Sequence, residues 1–227
     1  MIKKTKIAVF DIDGTIFRSA LHFELFHGLV EYGIFPNIVV KEIEQYHDDW
    51  INRRGNYKDY EMSLINSYSN RIKGKVVEDV ENVSRFVLEQ KNGYVYVYTR
   101  DLIESLRHDH ILVAISGAPQ EILTQFANHL HFDYAYGAIY EQIDGKYTGN
   151  IAFPAYFKKA EILRNFCTEH NLTLEGSLGI GDTIGDVAFL ELVERPIAFN
   201  PSQELYTVAK ERGWKTVVER KDVIYEI

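Results

Sequence analysis

Two carboxylates stand two residues apart in the segment DIDGT, at Asp11 and Asp13. The segment directly follows an apolar run, residues 7–10, whose composition is typical of a strand buried on both faces. Paired carboxylates at such a place suit nucleophilic attack, proton transfer and the binding of a divalent cation. An acidic surface turn is the alternative interpretation when this motif is taken alone.

A second apolar run, residues 111–115, leads into Ser116 and Gly117 and then into a helical pattern. Backbone N–H groups at the start of a helix form an anion site, and a serine hydroxyl adds a further donor. Taken alone, the pattern is explained equally well by a serine that caps the helix.

A third apolar run, residues 177–180, overlaps the segment GIGDTIGD, in which Asp182 and Asp186 stand four residues apart. That spacing would place both carboxylates on one side of a helical turn. Either aspartate singly is also a common helix cap. Lys158 and Lys159 begin another helical pattern, and two solvated lysines are the simpler interpretation of that pair.

These groups follow strands that we expect to lie in one parallel sheet, where ligands bind beyond the carboxyl ends of the strands. Asp11, Asp13, Asp182 and Asp186 would repel one another strongly at one edge unless a divalent cation and a lysine neutralise them. Oxygen ligands of this kind suit Mg²⁺, which binds one or two carboxylates together with water and substrate phosphate. The convergence therefore predicts a magnesium site.

The elements around these motifs predict an α/β fold, with a doubly wound and mainly parallel sheet. The expected strands alternate with helical patterns at residues 120–130 and 157–170, and a weaker strand lies at 196–199. Asp144-Gly145 predicts a β-hairpin between residues 134–140 and 147–151.

Residues 17–98 differ from the rest because they form amphipathic helical patterns, which include 21–32, 39–52 and 57–71. We expect a helical cap domain there, inserted into a catalytic core of residues 1–16 and 99–227. The stretch 94–98 has the composition of a strand but leads into a helical pattern, and both interpretations stay open.

The composition excludes several classes of protein. The chain has 227 residues, a net charge of −8, 46% hydrophobic residues and a single cysteine. It can form a true core, lacks the basic surface of a nucleic-acid-binding protein, and has no disulfide framework. No segment matches an export signal or a membrane helix. We expect a cytoplasmic protein, and the sequence does not indicate its oligomeric state.

The order of these motifs resembles the haloacid dehalogenase (HAD) superfamily: DxDGT, a strand ending in Ser-Gly, a lysine, and GDxxxD. The long insert and the stretch IAFNP at 197–201 are similar to the phosphoserine-phosphatase-like subgroup, which has a helical cap. The resemblance implies a HAD-like core that binds Mg²⁺ and acts on a small phosphorylated metabolite.

The resemblance also implies roles for individual residues. Asp11 would be the nucleophile that forms an aspartyl-phosphate, and Asp13 would protonate the leaving oxygen and then activate water. Ser116 and the N–H of Gly117 would hold the phosphoryl oxygens. An acid at the Asp13 position separates phosphatases from the dehalogenases and phosphonatases of the same superfamily, and so points to phosphate monoesters.

The remaining charges follow from the same match. Lys159 would offset charge on the nucleophile and the transferring group; Lys158 is the rival, but the segment KAEIL that begins at Lys159 matches the family's helix better. Mg²⁺ would be bound by Asp11, by Asp182 and by the backbone carbonyl of Asp13. Asp186 would hold either metal-bound water or Lys159.

The chain departs from the subgroup in two places. Phosphoserine phosphatases carry a glutamate after the first motif that meets the substrate's amino group, whereas residues 17–22 contain no acid. Gly185 stands where the family usually has asparagine. Catalysis is therefore expected to be preserved, whereas the sequence does not identify the phosphorylated substrate.

Other residues have simpler interpretations. Arg53 and Arg54 are candidates for contact with an anionic substrate or are solvated loop residues. The pairs His108/His110 and His129/His131 lie near predicted helix ends and are not expected to bind metal. Cys167 is expected at the edge of the core.

The leading functional hypothesis is a magnesium-dependent phosphatase. A phosphotransferase would use the same aspartyl-phosphate but pass it to an alcohol. A phospho-accepting regulatory domain is disfavoured, because such domains are about half as long and lack an acid at the Asp13 position. A degenerate binding protein of the same fold is disfavoured because every catalytic position is intact.

Overall fold

The computed structural model describes residues 4–91 and 93–227. Residues 1–3 of the predicted core and residue 92 of the predicted cap therefore lie outside the described residues. The strands are β1 (Lys6–Phe10), β2 (His110–Pro119), β3 (Tyr134–Ile143), β4 (Lys146–Phe153), β5 (Leu178–Gly181), β6 (Arg195–Phe199), β7 (Lys215–Arg220) and β8 (Val223–Glu226). The helices are α1 (Leu21–Glu31), α2 (Ile38–Ile51), α3 (Tyr57–Ile72), α4 (Val77–Gln90), α5 (Val97–Leu106), α6 (Gln120–His129), α7 (Lys159–His170), α8 (Val187–Leu190) and α9 (Gln203–Arg212).

The strands form one sheet in the order β4-β3-β2-β1-β5-β6-β7-β8. Pairing is parallel from β3 through β7 and antiparallel at the two outer hairpins, β3–β4 and β7–β8. The predicted α/β fold with a mainly parallel sheet is confirmed. Because β1 lies between β2 and β5, the residues that follow these three strands come out side by side at one edge of the sheet.

Alternate residues of β1 pack on opposite faces of the sheet, as a strand buried on both sides requires. Ile7 and Val9 belong to an apolar cluster with residues of α7, α8 and α9. Ala8 and Phe10 belong to a second cluster, to which α1, α3, α4 and α6 contribute. The two clusters pack against both faces of β1 and hold it in place, and so they fix the position of the residues that follow its carboxyl end.

The predicted helices of the insert are present as α1, α2 and α3, with α4 following them. Their buried residues, such as Leu25 and Tyr68, join the same apolar cluster as the sheet residue Phe10. The backbone of Gly74 also donates a hydrogen bond to Tyr147 O on β4, at 2.7 Å. These helices therefore pack on the sheet and on the hairpin; the division into two domains stays a prediction.

The stretch 94–98, which the sequence leaves open between strand and helix, makes a single β-bridge, between Val95 and Phe17, and then becomes helical. Tyr96 N donates to Ile16 O at 2.9 Å, and Arg18 N donates to Tyr94 O at 3.0 Å, so the two chain connections of the insert pair with each other. Helix α5 then begins at Val97. The residue between these two bonds, Phe17, is fully buried.

The β-hairpin at Asp144-Gly145 is confirmed, and both turn residues have positive φ, +50° and +72°. The sequence analysis did not predict β7, β8 or α9. β8 is exposed along its whole length, and such short edge strands carry no buried apolar run. Among the residues described, no helix combines the length and the apolar character needed to cross a membrane.

Replacing Phe17 with alanine is expected to lower the free energy of unfolding by about 3–5 kcal/mol, because the cavity left by a buried phenylalanine is not refilled. The ring makes edge contacts with Phe126 and Tyr94, at centroid distances of 5.5 and 6.0 Å. Urea unfolding followed by circular dichroism measures the change. The matched control is Phe157→Ala, at a ring that is 73% exposed, where less than about 0.5 kcal/mol is expected. Equal losses in the two variants would contradict this assignment.

Candidate active site

Asp11 lies one residue beyond β1, and its backbone is anchored to the neighbouring strand. Its N–H donates to Ile180 O at 3.0 Å. Its carboxylate is 4% exposed and accepts two hydrogen bonds, one from Lys159 Nζ at 2.6 Å and one from Thr15 Oγ1 at 2.9 Å. Each carboxylate oxygen thus has a donor, and the side chain is held in one orientation.

Lys159, rather than Lys158, reaches the aspartates. Its ammonium donates to Asp186 Oδ1 at 2.6 Å as well as to Asp11. Lys158 instead pairs with Glu161 on the surface, at 3.2 Å. Lys159 is the first residue of α7 and is buried, whereas Lys158 ends the preceding 3₁₀ turn. The helix register therefore decides between the two lysines that the sequence left open.

Asp186 folds back onto the loop that carries Asp182. Its Oδ2 accepts from Asp182 N at 3.1 Å, from Thr183 N at 3.0 Å and from Thr183 Oγ1 at 3.3 Å. Gly181 permits this close approach, because a Cβ there would lie 2.6 Å from the Asp186 carboxylate. Of the two roles considered for Asp186, contact with Lys159 is the one that the geometry shows.

Gly14 makes room for the Asp182 carboxylate. Its φ is +76°, a conformation that favours glycine, and a Cβ at this position would lie 2.2 Å from Asp182 Oδ2. The only polar contact recorded for the Asp182 carboxylate within the described residues is a long one from Thr15 Oγ1, at 3.5 Å. The glycine of the DxDGT motif thus lets the loop after β1 pack closely against the loop after β5, which carries Asp182.

Asp13 points towards the start of α1 and towards β2. Its Oδ1 accepts from Leu21 N at 2.5 Å, and its Oδ2 accepts from Ser116 Oγ at 2.6 Å. Ser116 in turn accepts from Ala118 N at 2.9 Å. Ser116 is fully buried and its hydroxyl hydrogen is directed at Asp13, while Gly117 lines the adjoining cavity. The predicted phosphate-binding role of both residues stays a prediction.

Burial dominates the electrostatics of the aspartates. It raises the pKa of Asp11 to about 7, against the opposing pull of Lys159, with further repulsion from Asp186 and Asp13. Burial also raises the pKa of Asp13 and, with repulsion from Asp11 and Asp186, that of Asp182. For Lys159, desolvation favours the neutral amine, but Asp11 and Asp186 outweigh it and hold its pKa above the usual value.

The donor set fits a divalent cation. Asp11, Asp182 and Asp186 each offer a carboxylate oxygen, and these oxygens lie within 4.8 Å of one another. Lys159 supplies one positive charge among four nearby carboxylates, counting Asp13, and it bonds to only two of them. Asp182 is half-buried and has no cationic partner among the described residues. Hard oxygen ligands and this excess of negative charge suit Mg²⁺.

The aspartates open into a cavity of about 680 Å³ between the sheet edge and the inserted helices. The insert lines it with aromatic, histidine and acidic side chains that the sequence analysis did not single out as site residues: Phe23, Glu24, His27, His47, Trp50, Tyr57, Tyr60 and Glu61. Their helical spacing is also that of core residues, so no local signal distinguishes them. Arg53 and Arg54 do not line the cavity; Arg54 pairs with Asp49 at 3.1 Å.

The remaining candidates lie elsewhere. His108, His129 and His131 are exposed, and His110 is buried against Asp109, with 2.6 Å between Nδ1 and Oδ1. None of them joins the metal-binding group found among the described residues. Cys167 is half-buried beside the apolar cluster on the α7 side, as expected.

Comparison with known proteins agrees with this geometry. The family model for haloacid dehalogenase-like hydrolases matches residues 8–191. A histidinol-phosphatase of Neisseria meningitidis is 26% identical over 92% of this chain and 96% of its own length. The phosphoserine phosphatase SerB1 of Mycobacterium tuberculosis is 31% identical over 44% of this chain, but the match spans only 33% of that relative.

A solved structure shares this fold over nearly the whole length of both chains. It is described as a phospho-aspartyl intermediate analogue of phosphoserine phosphatase, and it superposes with a TM-score of 0.64 at 21% identity, covering 97% of this chain and 96% of that one. Together with the family match and the phosphatase relatives, it supports a phosphoric monoester hydrolase of the phosphoserine-phosphatase-like subgroup. The chain belongs to the haloacid dehalogenase-like hydrolase family.

Proposed function

We propose that the protein is a Mg²⁺-dependent phosphatase that hydrolyses a small phosphate monoester through an aspartyl-phosphate on Asp11. The observation that carries this proposal is the Asp11 carboxylate itself. It is buried at the base of the cavity, bonded to Lys159 and Thr15, and lies beside Asp13 and Asp182. That arrangement presents an oriented nucleophile next to an acid and a metal-binding carboxylate.

The first half-reaction forms the intermediate. A carboxylate oxygen of Asp11 attacks phosphorus as the bond to the leaving oxygen breaks, and Asp13 gives that oxygen a proton. Burial raises the pKa of Asp13, which favours the protonated form that an acid needs. Lys159 stays charged between Asp11 and Asp186 and offsets negative charge at the nucleophile.

The second half-reaction regenerates the enzyme. Asp13, now ionised, takes a proton from a water that attacks the phosphorus of the acyl phosphate, and inorganic phosphate leaves with Asp11 restored. Asp11, Asp182 and the backbone carbonyl of Asp13 would hold Mg²⁺. When bound, the cation supplies charge neutralisation and orientation for a loose, in-line phosphoryl transfer.

The names of the relatives support hydrolysis rather than transfer to an alcohol. The aligned Neisseria protein is named a histidinol-phosphatase and the aligned mycobacterial protein a phosphoserine phosphatase. Both names describe release of phosphate from a small phosphorylated alcohol. Such a molecule fits a cavity of about 680 Å³.

Replacing Asp11 with asparagine is expected to reduce kcat on p-nitrophenyl phosphate by at least about 10³-fold, because the amide cannot form the acyl phosphate. The variant should keep its far-UV circular dichroism spectrum, since asparagine has nearly the same shape and can still accept a hydrogen bond from Lys159. The assay is phosphate release at saturating Mg²⁺. A variant that keeps more than a few per cent of the wild-type rate would refute Asp11 as the nucleophile.

Removing divalent cations with a chelator is expected to abolish phosphate release, and added Mg²⁺ should restore it. Asp182→Asn should require at least about tenfold more Mg²⁺ for half-maximal rate, because a directly bound carboxylate is lost. Asp133→Asn, which removes a carboxylate paired with Lys4 at 2.7 Å, is the matched control and should keep the wild-type Mg²⁺ dependence. Unchanged rates in chelator would show that the metal assignment is wrong.

A further inference from the structure

We propose that the preferred substrate is a phosphate monoester whose alcohol part carries a positive charge, and that Glu61 on α3 binds that charge. The proposal rests on the proposed function, because it assumes that the phosphate end of the substrate lies at Asp11. The rest of the substrate must then lie in the part of the cavity that the inserted helices line. Glu61 belongs to that part.

Glu61 is a half-buried carboxylate on the wall of the cavity. It makes no hydrogen bond and no ion pair with any residue in the ranges that the structure describes, 4–91 and 93–227. Glu24, which lines the same cavity, differs in that it pairs with Lys91 at 3.2 Å. Burial raises the pKa of Glu61 to about 7, with Asp13 as the next cause. A bound cation would relieve this penalty and restore the charged form.

Four aromatic rings line the cavity together with Glu61, and we call them the aromatic wall: Phe23, Trp50, Tyr57 and Tyr60. Burial raises the pKa of the Tyr57 hydroxyl, and Tyr57 lies near enough to Glu61 for the Glu61 charge to raise that pKa further. All four line the cavity and pack against one another. The ring of Trp50 stacks on Tyr60 at a centroid distance of 5.7 Å, and Tyr57 meets the edge of Trp50 at 5.2 Å. Aromatic surfaces attract ammonium groups, tryptophan most strongly. A carboxylate next to such a wall is suited to an organic cation.

Among the described residues of the insert, Arg18 is the one lysine or arginine that lines the cavity. Burial lowers the pKa of His22 to about 3 and also lowers that of His27, so both rings are neutral near pH 7. Arg18 lines the cavity, but its guanidinium lies over the rings of Tyr94 and Tyr96, at 5.4 and 5.6 Å. These residues belong to the two chain connections that join the insert to the sheet. The negative charge of Glu61 would repel a substrate carboxylate that was bound beside it.

The test compares phosphocholine with 3,3-dimethylbutyl phosphate, which has the same shape but a neutral carbon in place of nitrogen. The full chain with Mg²⁺ is expected to hydrolyse phosphocholine with at least about tenfold higher kcat/KM. Glu61→Gln should lower this ratio about tenfold, mainly through KM for phosphocholine. The ratio is internal to each variant, so a general loss of folding or activity does not change it.

The matched control is Glu44→Gln, which removes an exposed carboxylate from α2, outside the cavity. It should keep the wild-type ratio. Equal kcat/KM for the two esters, or a ratio that Glu61→Gln leaves unchanged, would overturn the inference while leaving the phosphatase assignment intact. Faster hydrolysis of 3-phosphoglycerate than of phosphocholine would also overturn it, in favour of a carboxylate held by Arg18. No hydrolysis of any ester, p-nitrophenyl phosphate included, would overturn both proposals.

Discussion

The buried ammonium of Lys159 joins the parts of the site that come from distant stretches of the chain. It bonds to Asp11 beyond β1 and to Asp186 beyond β5, both at 2.6 Å, while its own backbone begins α7 on one face of the sheet. Removing one member of such a buried pair leaves a charge without compensation, which is strongly destabilising. The orientation of the Asp11 carboxylate and the path of the Asp182–Asp186 loop both depend on this contact.

The sheet topology explains why few residues suffice to build the site. β1 lies in the middle of the sheet with β2 on one side and β5 on the other, and all three run parallel. Asp11 therefore emerges between Ser116 and Asp182. The glycines of the loops then set the distances, because Gly14 admits the Asp182 carboxylate and Gly181 admits that of Asp186. The cost of gathering carboxylates here is visible in the raised pKa values of Asp11, Asp13 and Asp182, which burial raises first and neighbouring carboxylates raise further. The proposed divalent cation would offset this cost.

The core of the site could be predicted from sequence because its residues follow buried strands directly. Asp11, Ser116 and Asp182 each stand within two residues of an apolar run, and parallel pairing alone brings them together. The segment KAEIL already favours Lys159 over Lys158, and the helix register shows that Lys159 is the lysine that points inwards. β7 and β8 were not predicted, because the edge strand β8 is fully exposed and has no core-facing pattern, and β7, which lies between β6 and β8, has only two buried residues, Thr216 and Val217.

The wall of the cavity contributed by the insert could not be predicted. Glu61 and Tyr57 lie on an amphipathic helix. Their positions in its pattern are equally compatible with surface residues and with core residues. They line the same cavity as Asp11 because of the way α3 packs on the rest of the insert and on the hairpin. This packing involves contacts between residues that are far apart in sequence. The family motifs thus identify the chemistry that we propose, whereas the residues that we propose to select the substrate lie outside every motif.

The central claim is that phosphate passes through Asp11. The most direct test is to quench the enzyme in acid during turnover of p-nitrophenyl phosphate with Mg²⁺, reduce it with borohydride, and map the peptides by mass spectrometry. Borohydride converts an aspartyl-phosphate to homoserine, so we expect homoserine at position 11 and unmodified aspartate at positions 13, 182 and 186. Reduction at a different residue, or an unmodified Asp11 in samples that have released a burst of nitrophenol, would contradict the account.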